Sequence, residues 1–303
     1  MAFRFEHADW GVDDNVRRAA RNEFDSAIAE VAETGFEIHS TIRDVRRRLK
    51  RVRAILRLVR PVFSDYAEEN AALRDTGAEF GDLRDAMALV EAVDLIGERA
   101  REDEEGAVQR VRAALSRRAA DSDSSLDREA FLTDLRAKLR EARVRSELWE
   151  LAETGRKAMV PGLVNAYRRA RKAFAEAKAN GELEALHEFR KHVKYHLAHL
   201  RLLQDLAPLF ADERRRQMQK LARRLGNIQN LHVLDAALAA APDGIAPEDK
   251  AVVRALVDRQ LLSLRGKALA AGAQLFREPP RVIETRWSVY WADWQEAQKL
   301  AAS

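Results

Sequence analysis

The chain has 303 residues, 47% of them hydrophobic, and its 53 Lys and Arg outnumber its 49 Asp and Glu for a net charge of +4. It has no cysteine, which excludes disulfides, thiolate metal sites and a cysteine nucleophile. Only 13 Gly and 7 Pro interrupt an Ala-, Leu-, Arg- and Glu-rich composition of helical type, and no run approaches about 18 uninterrupted apolar residues, so no membrane span is expected.

The first residues, "MAFRFEHADWGVDD", show neither a basic n-region nor an apolar run, so a cytoplasmic protein is expected. A helix is predicted over 13–34, capped by Asp13 or Asp14 and carrying Arg18 and Arg21 within "RRAARNEF". The next, 39–60, is the most informative. Ile42, Val45, Leu49, Val52, Leu56 and Val59 alternate steps of three and four and so form one apolar face. At about 100° per residue, His39, Arg43, Arg46, Arg47, Lys50, Arg53, Arg57 and Arg60 fall within an arc of roughly 140°. From Arg43 to Arg60 there are nine Lys and Arg and one acid, Asp44. A solvated helix face usually mixes signs so that charges four apart attract. This one repels itself, which points to a polyanionic ligand. Pro61 ends the helix.

Helices follow over 65–76, 80–99, 105–120 and 125–154, the one at 80–99 entered through Gly81. The acids that balance the overall charge lie apart from the stripe, as in "EDEEG" from Glu102. Gly155, Pro161 and Gly162 flank the expected seam between two halves, 1–155 and 156–303. After the seam, a helix over 159–180 carries Arg168, Arg171 and Lys172 in "YRRARKAF", a counterpart of "RRAARNEF".

The helix over 184–205 repeats the basic stripe. Laying Arg43 on His187 also lays Arg46 on Arg190, Arg47 on Lys191, Lys50 on Lys194 and Arg57 on Arg201. Leu186, Phe189, Val193, Leu200 and Leu203 make its apolar face. Helices over 211–224 and 227–240 continue the match, with Gly226 laid on Gly81 and Asn230 on Asp85; the last two are either orienting groups for the cations or plain surface. "APDGIAPED" (241–249) and "EPP" (278–280) are loops around a helix over 247–275. A last helix, 281–301, places Trp287, Tyr290, Trp291 and Trp294 at spacings of three and four, a packing stripe. The expected fold is all-α: two pseudo-symmetric four-helix-type bundles from an internal duplication, with a basic central channel and a C-terminal aromatic helix.

At these residues the chain resembles the CHAD domain family, the conserved histidine α-helical domain. The carrying motif is His followed by Arg at +3, Lys or Arg at +4 and Lys or Arg at +7, occurring twice. His187, Arg190, Lys191 and Lys194 fit it fully, with Tyr195 following; in the first half Arg43 stands at the histidine position and His39 lies one turn earlier. The resemblance covers roughly Phe3 to Ala270. It implies a helical two-bundle protein whose basic central cavity binds inorganic polyphosphate, and association with polyphosphate granules in bacteria. The Glu-x-Glu-x-Lys signature of the triphosphate-tunnel domain often fused to such proteins is absent, so a stand-alone module is expected. On this reading His39, Arg43, Arg46, Arg47, Lys50, Arg53 and Arg57 of one half face His187, Arg190, Lys191, Lys194 and Arg201 of the other. Arg18, Arg21, Arg168, Arg171 and Lys172 form an outer ring.

Other chemistries are weaker. His192, His196 and His199 stand at i, i+4 and i+7 and could hold Zn²⁺, but they read better as helix-flank histidines, so no metal or cofactor is expected. There is no Walker sequence and no Gly-x-Gly-x-x-Gly. A nucleic-acid binder would use the same cations, yet the stripes carry few aromatics for base contact. An enzyme acting on phosphoanhydrides would want clustered carboxylates for Mg²⁺, which the stripes do not offer, so no enzymatic activity is expected. The oligomeric state is left open.

Overall fold

The computed structural model describes residues 3–6, 11–33, 38–79, 81–124, 127–240 and 244–302, the side chains of 81–87, 120–124 and 301–302 excepted. Asp85 and the start of the 241–249 loop therefore lie outside the described side chains and residues. Among the described residues there are eleven α-helices and no strand: α1 (Val12–Ala32), α2 (Ile38–Val59), α3 (Tyr66–Ala78), α4 (Gly81–Gly97), α5 (Glu102–Ser124), α6 (Arg128–Glu147), α7 (Gly155–Asn180), α8 (Leu183–Leu202), α9 (Pro208–Ala239), α10 (Pro247–Leu275) and α11 (Pro280–Ala302). None is long and apolar enough to cross a membrane.

The expected helices differ from these at four places. The cap of α1 is Gly11, with Asp13 and Asp14 inside the first turn, where carboxylates favour the positive end of the helix. The helix expected to run to 154 stops at Glu147. Pro161 and Gly162, expected beside the seam, lie within α7. Residues 211–224 and 227–240 form one helix, α9, that runs straight through Gly226.

All six residues of the apolar face of α2 are buried, as the spacing requires. Its second half buries Ala54, Ile55 and Leu58 as well. An amphipathic helix buries a second side only where another element covers it, and here α7 and α8 pack against α2. Gly162 makes the closest approach: a Cβ built there would stand 1.7 Å from the carbonyl oxygen of Leu58. Packing crosses the sequence midpoint again farther on. The α4–α5 pair packs against the α9–α10 pair, α5 on α10 and α4 on both α9 and α10. The apolar stripe of α11 is buried at Trp287, Trp291 and Trp294, and the helix packs on α7.

The charge imbalance of α2 is partly answered by α1. Glu23 is buried, and it accepts hydrogen bonds from Arg51 Nη1 at 3.1 Å and Arg48 Nη1 at 3.3 Å, while Arg48 Nε donates to Glu30 at 2.9 Å. The bond to Glu30, the largest contribution, raises the Arg48 pKa. Arg48 and Arg51 are thus structural cations on the flank of the stripe. Glu23→Gln, which removes the buried negative charge between two guanidinium groups, is expected to lower unfolding stability by roughly 2–3 kcal/mol. Urea unfolding measures it, and an unchanged midpoint would mean that the pair is idle.

Candidate anion-binding site

The stripe residues of α2 divide into two sets. Arg43, Arg47 and Lys50 are exposed, the first two flanking Asp44 at 4.0 and 3.0 Å. The others lean on neighbouring helices. Arg46 Nη1 donates to the Gly77 carbonyl at 2.8 Å and Arg53 Nε to Asn70 Oδ1 at 3.1 Å, both on α3. Burial holds the Arg53 pKa below the usual guanidinium value. Arg57 lies over the Tyr195 ring, its guanidinium carbon 4.0 Å from the centroid. His39 is half-buried at the start of the helix.

On α8, Lys191 and Lys194 are exposed. Lys191 holds Glu188 at 2.6 Å, and that bond is the main reason the Glu188 pKa is lowered. His187 Nδ1 meets Gln229 Oε1 of α9 at 3.0 Å. Arg190 passes beside Gly226 of α9, where a Cβ would stand in ordinary contact 3.8 Å from Arg190 Nε. Arg201 is half-buried with Arg51 and Arg215 as its cationic neighbours, and burial, then these two charges, lowers its pKa. The two helices touch where Arg57 meets Tyr195 and where His199 Nε2 lies 2.9 Å from the Ala54 carbonyl oxygen. One contact joins the cationic stripes at their edges, and the other is buried.

The five residues expected in an outer ring do not have one surrounding. Arg18 anchors the N-terminal segment: it donates to the Arg4 carbonyl and to Asn15 Oδ1, each at 2.9 Å, and pairs with Glu6 at 3.4 Å. Arg21 is half-buried on the same helix. Arg168, Arg171 and Lys172 line a separate open cavity of about 720 Å³ floored by Phe174 and Phe276, with Lys178 beside them. Arg171 Nε donates to the Phe276 carbonyl at 3.1 Å, and Lys172 pairs with Glu176 at 3.7 Å. Arg168 bonds Asn165.

Sequence reasoning passed over Arg169, the neighbour of Arg168, which lines a second cavity with Arg57 and Arg60. It named Asn230 as either an orienting group or plain surface and did not consider Gln229. The Asn230 side chain makes no hydrogen bond among the described residues, and Gln229 is the one that reaches His187. One residue turns a helical side chain by about 100°, enough to move it off the α8 face.

His192, His196 and His199 have separate surroundings. His192 stands 3.5 Å from Glu188, His196 packs edge-on to Tyr167, and His199 is tied to Ala54. No group of three or more His, Asp or Glu among the described residues is placed to hold a metal ion. Burial is the first cause of the low pKa of all three, which leaves them neutral near pH 7: His192 and His199 are pushed down to about 4, and His196 well below its ordinary value.

A family model, that of the CHAD domain, matches residues 18–239. Among solved structures, PptA from Streptomyces chartreusis is similar over 88% of this chain and 99% of its own, with TM-score 0.60 and 15% identity. The CHAD domain from the plant Ricinus communis is similar over 92% of this chain and 97% of its own, with TM-score 0.56 and 17% identity. These likenesses concern the fold. No curated protein matches the chain.

Proposed function

The chain belongs to the CHAD domain family, and from that premise we propose that it binds inorganic polyphosphate, without acting on it chemically, through the cationic faces of α2 and α8. The observation that carries the reading is their contact. Two helices from distant parts of the chain, each with exposed Lys and Arg, meet edge to edge where Arg57 lies over Tyr195. A flexible chain with about one negative charge per phosphate can follow both faces, which together line one channel. Arg43, Arg47 and Lys50 meet it from α2, and His187, Arg190, Lys191 and Lys194 from α8. Their donors hold phosphoryl oxygens by charge-assisted hydrogen bonds. Arg46 and Arg53, already bonded to α3, stiffen the wall more than they reach into it. The acids on the two faces, Asp44 and Glu188, are held by Arg47 and Lys191. They are therefore engaged as ion pairs rather than presented to Mg²⁺, which favours binding over phosphoanhydride chemistry. Attachment to polyphosphate granules follows from the same surface.

The test is competition binding with polyphosphate, single-stranded DNA and double-stranded DNA at one salt concentration. Polyphosphate is expected to win, with affinity rising with chain length and falling with salt, by analogy with counterion release. Preference for either DNA would overturn the reading. Lys50 and Lys194 are exposed, so their joint replacement by Glu leaves the fold intact. It is expected to weaken polyphosphate binding by about a hundredfold or more, since each site loses a charge-assisted bond and gains a repulsion. Unchanged affinity in that folded variant would count against the two-helix surface.

A further inference from the structure

The C-terminal end of α2, the outer side of α7 and one flank of α8 enclose a cavity of about 210 Å³. Arg57 enters it from α2, Arg60 from the turn just after α2 and Arg169 from α7, with His192 and Tyr195 from α8 and Asn165 beside them. No carboxylate lines it among the described residues. Three guanidinium groups around one small space repel one another, and the lining residues contain nothing to offset this. Arg57 Nε is also buried without a hydrogen-bond partner, although its guanidinium is held in place over the Tyr195 ring. Arg60 is likewise oriented by an aromatic ring, 4.7 Å from the centroid of Tyr66. Stacking fixes a guanidinium while leaving its N–H groups free to donate in the ring plane.

We propose that this cavity is a site for one dianionic phosphoryl group, either free orthophosphate or the terminal phosphate of a polyphosphate chain. A terminal or free phosphate carries close to two negative charges near neutral pH, whereas an internal one carries one, so three arginines favour the former. His192 fits the same role as a neutral donor, being held uncharged by burial and by the nearby Lys191, Arg169 and Arg57. Arg57 belongs to both the α2 stripe and this cavity. A chain lying along the stripe would therefore end here, and that version of the ligand rests on the polyphosphate reading; the orthophosphate version does not.

Arg169 lies outside the two cationic stripes and is exposed, so its removal costs no packing. Orthophosphate titrated into the full-length protein is expected to bind. Arg169→Ala is expected to weaken that binding by about tenfold or more, the loss of one charge-assisted bond. Lys178→Ala, which removes a cation from the far side of the same helix, is expected to leave it unchanged. Equal weakening by both variants would mean general attraction by the basic surface and would overturn the site. Polyphosphates of one length with free or esterified ends then identify the source. A preference for free ends that disappears in Arg169→Ala assigns the cavity to the chain terminus; orthophosphate binding with no end preference assigns it to the free ion. Absence of both orthophosphate binding and end preference overturns the proposal. Should neither polyphosphate bind at all, the polyphosphate reading fails and the orthophosphate titration alone decides the cavity.

Discussion

Gly162→Ala is expected to destabilise the protein by about 3 kcal/mol or more. The added Cβ would stand 1.7 Å from the Leu58 carbonyl oxygen, 2.5 Å from its carbon and 3.0 Å from the Arg57 oxygen. Ordinary contact between carbon atoms is at about 3.5–4.0 Å, so α2 and α7 must part by more than an ångström. Overpacking against a yielding side chain costs about 1–3 kcal/mol. Here the obstacle is the backbone of a helix buried on two sides, which puts the cost at or above the top of that range. In a chain of 303 residues it corresponds to a fall in melting temperature of roughly 5 °C or more. Gly266 is the control, since a Cβ there meets nothing within 4 Å and the position is an exposed helix interior. Gly266→Ala is expected to stabilise by up to about 1 kcal/mol through helix propensity. Thermal and urea unfolding of the two variants measure both effects. Equal behaviour would show that the α2–α7 approach is not tight. The site gives a second readout, because Gly162 borders the same cavity as Arg57 and Arg169. A surviving fold with α2 and α7 forced apart should lose anion affinity there.

Mild acid is expected to destabilise the protein through His196 and His199, which are buried, and the half-buried His192. His192 and His199 have folded-state pKa values of about 4 against an ordinary 6.5, with burial the leading cause in each, and His196 is shifted the same way. Above about pH 6.5 these groups are neutral whether the chain is folded or not, and the stability is fully present. Between about pH 6.5 and pH 4 the unfolded chain takes up protons that the folded one cannot, so stability falls as pH falls, by about 1.4 kcal/mol per pH unit for each histidine. Below about pH 4 His192 and His199 cause no further loss. Over the whole window His199 costs about 3 kcal/mol and the half-buried His192 less, a large part of a typical net stability of about 5–15 kcal/mol. Carboxylates held low by their partners, such as Glu188 and Glu278, begin to contribute nearer their own ordinary range, at the acid end of the window. Urea unfolding at a series of pH values separates the two causes. His199→Gln keeps a donor for the Ala54 carbonyl and should reduce the slope above pH 5 by about one proton. An unchanged slope would mean that His199 does not titrate with unfolding.

How far the sequence could be read depended on whether a pattern was local. Ile42, Val45, Leu49, Val52, Leu56 and Val59 repeat at helical spacing because one face of α2 meets one core, and all six are buried. The same held for Trp287, Trp291 and Trp294 of α11. Residues that serve a distant contact were misread. Pro161, Gly162 and Gly226 carry the local signal of a break, yet each lies inside a helix. Gly162 lacks a side chain because Leu58 arrives from another helix. Nothing in the neighbouring residues announces that guest.

Charge followed the same division. Periodicity by itself determined that the cations of α2 and α8 lie on one side of each helix, since a fixed turn per residue sorts side chains without reference to anything outside the helix. It could not say which of them neighbouring helices would bury or engage. Tertiary structure gave Arg48 and Arg51 to Glu23, Arg46 to Gly77, Arg53 to Asn70 and Arg18 to the N-terminal segment, and left Arg43, Arg47, Lys50, Lys191 and Lys194 exposed. It also decided which cations from separate helices share a space, as Arg57, Arg60 and Arg169 do. Coulomb interactions act through distance and burial, and both are set by how helices far apart in the chain come to pack.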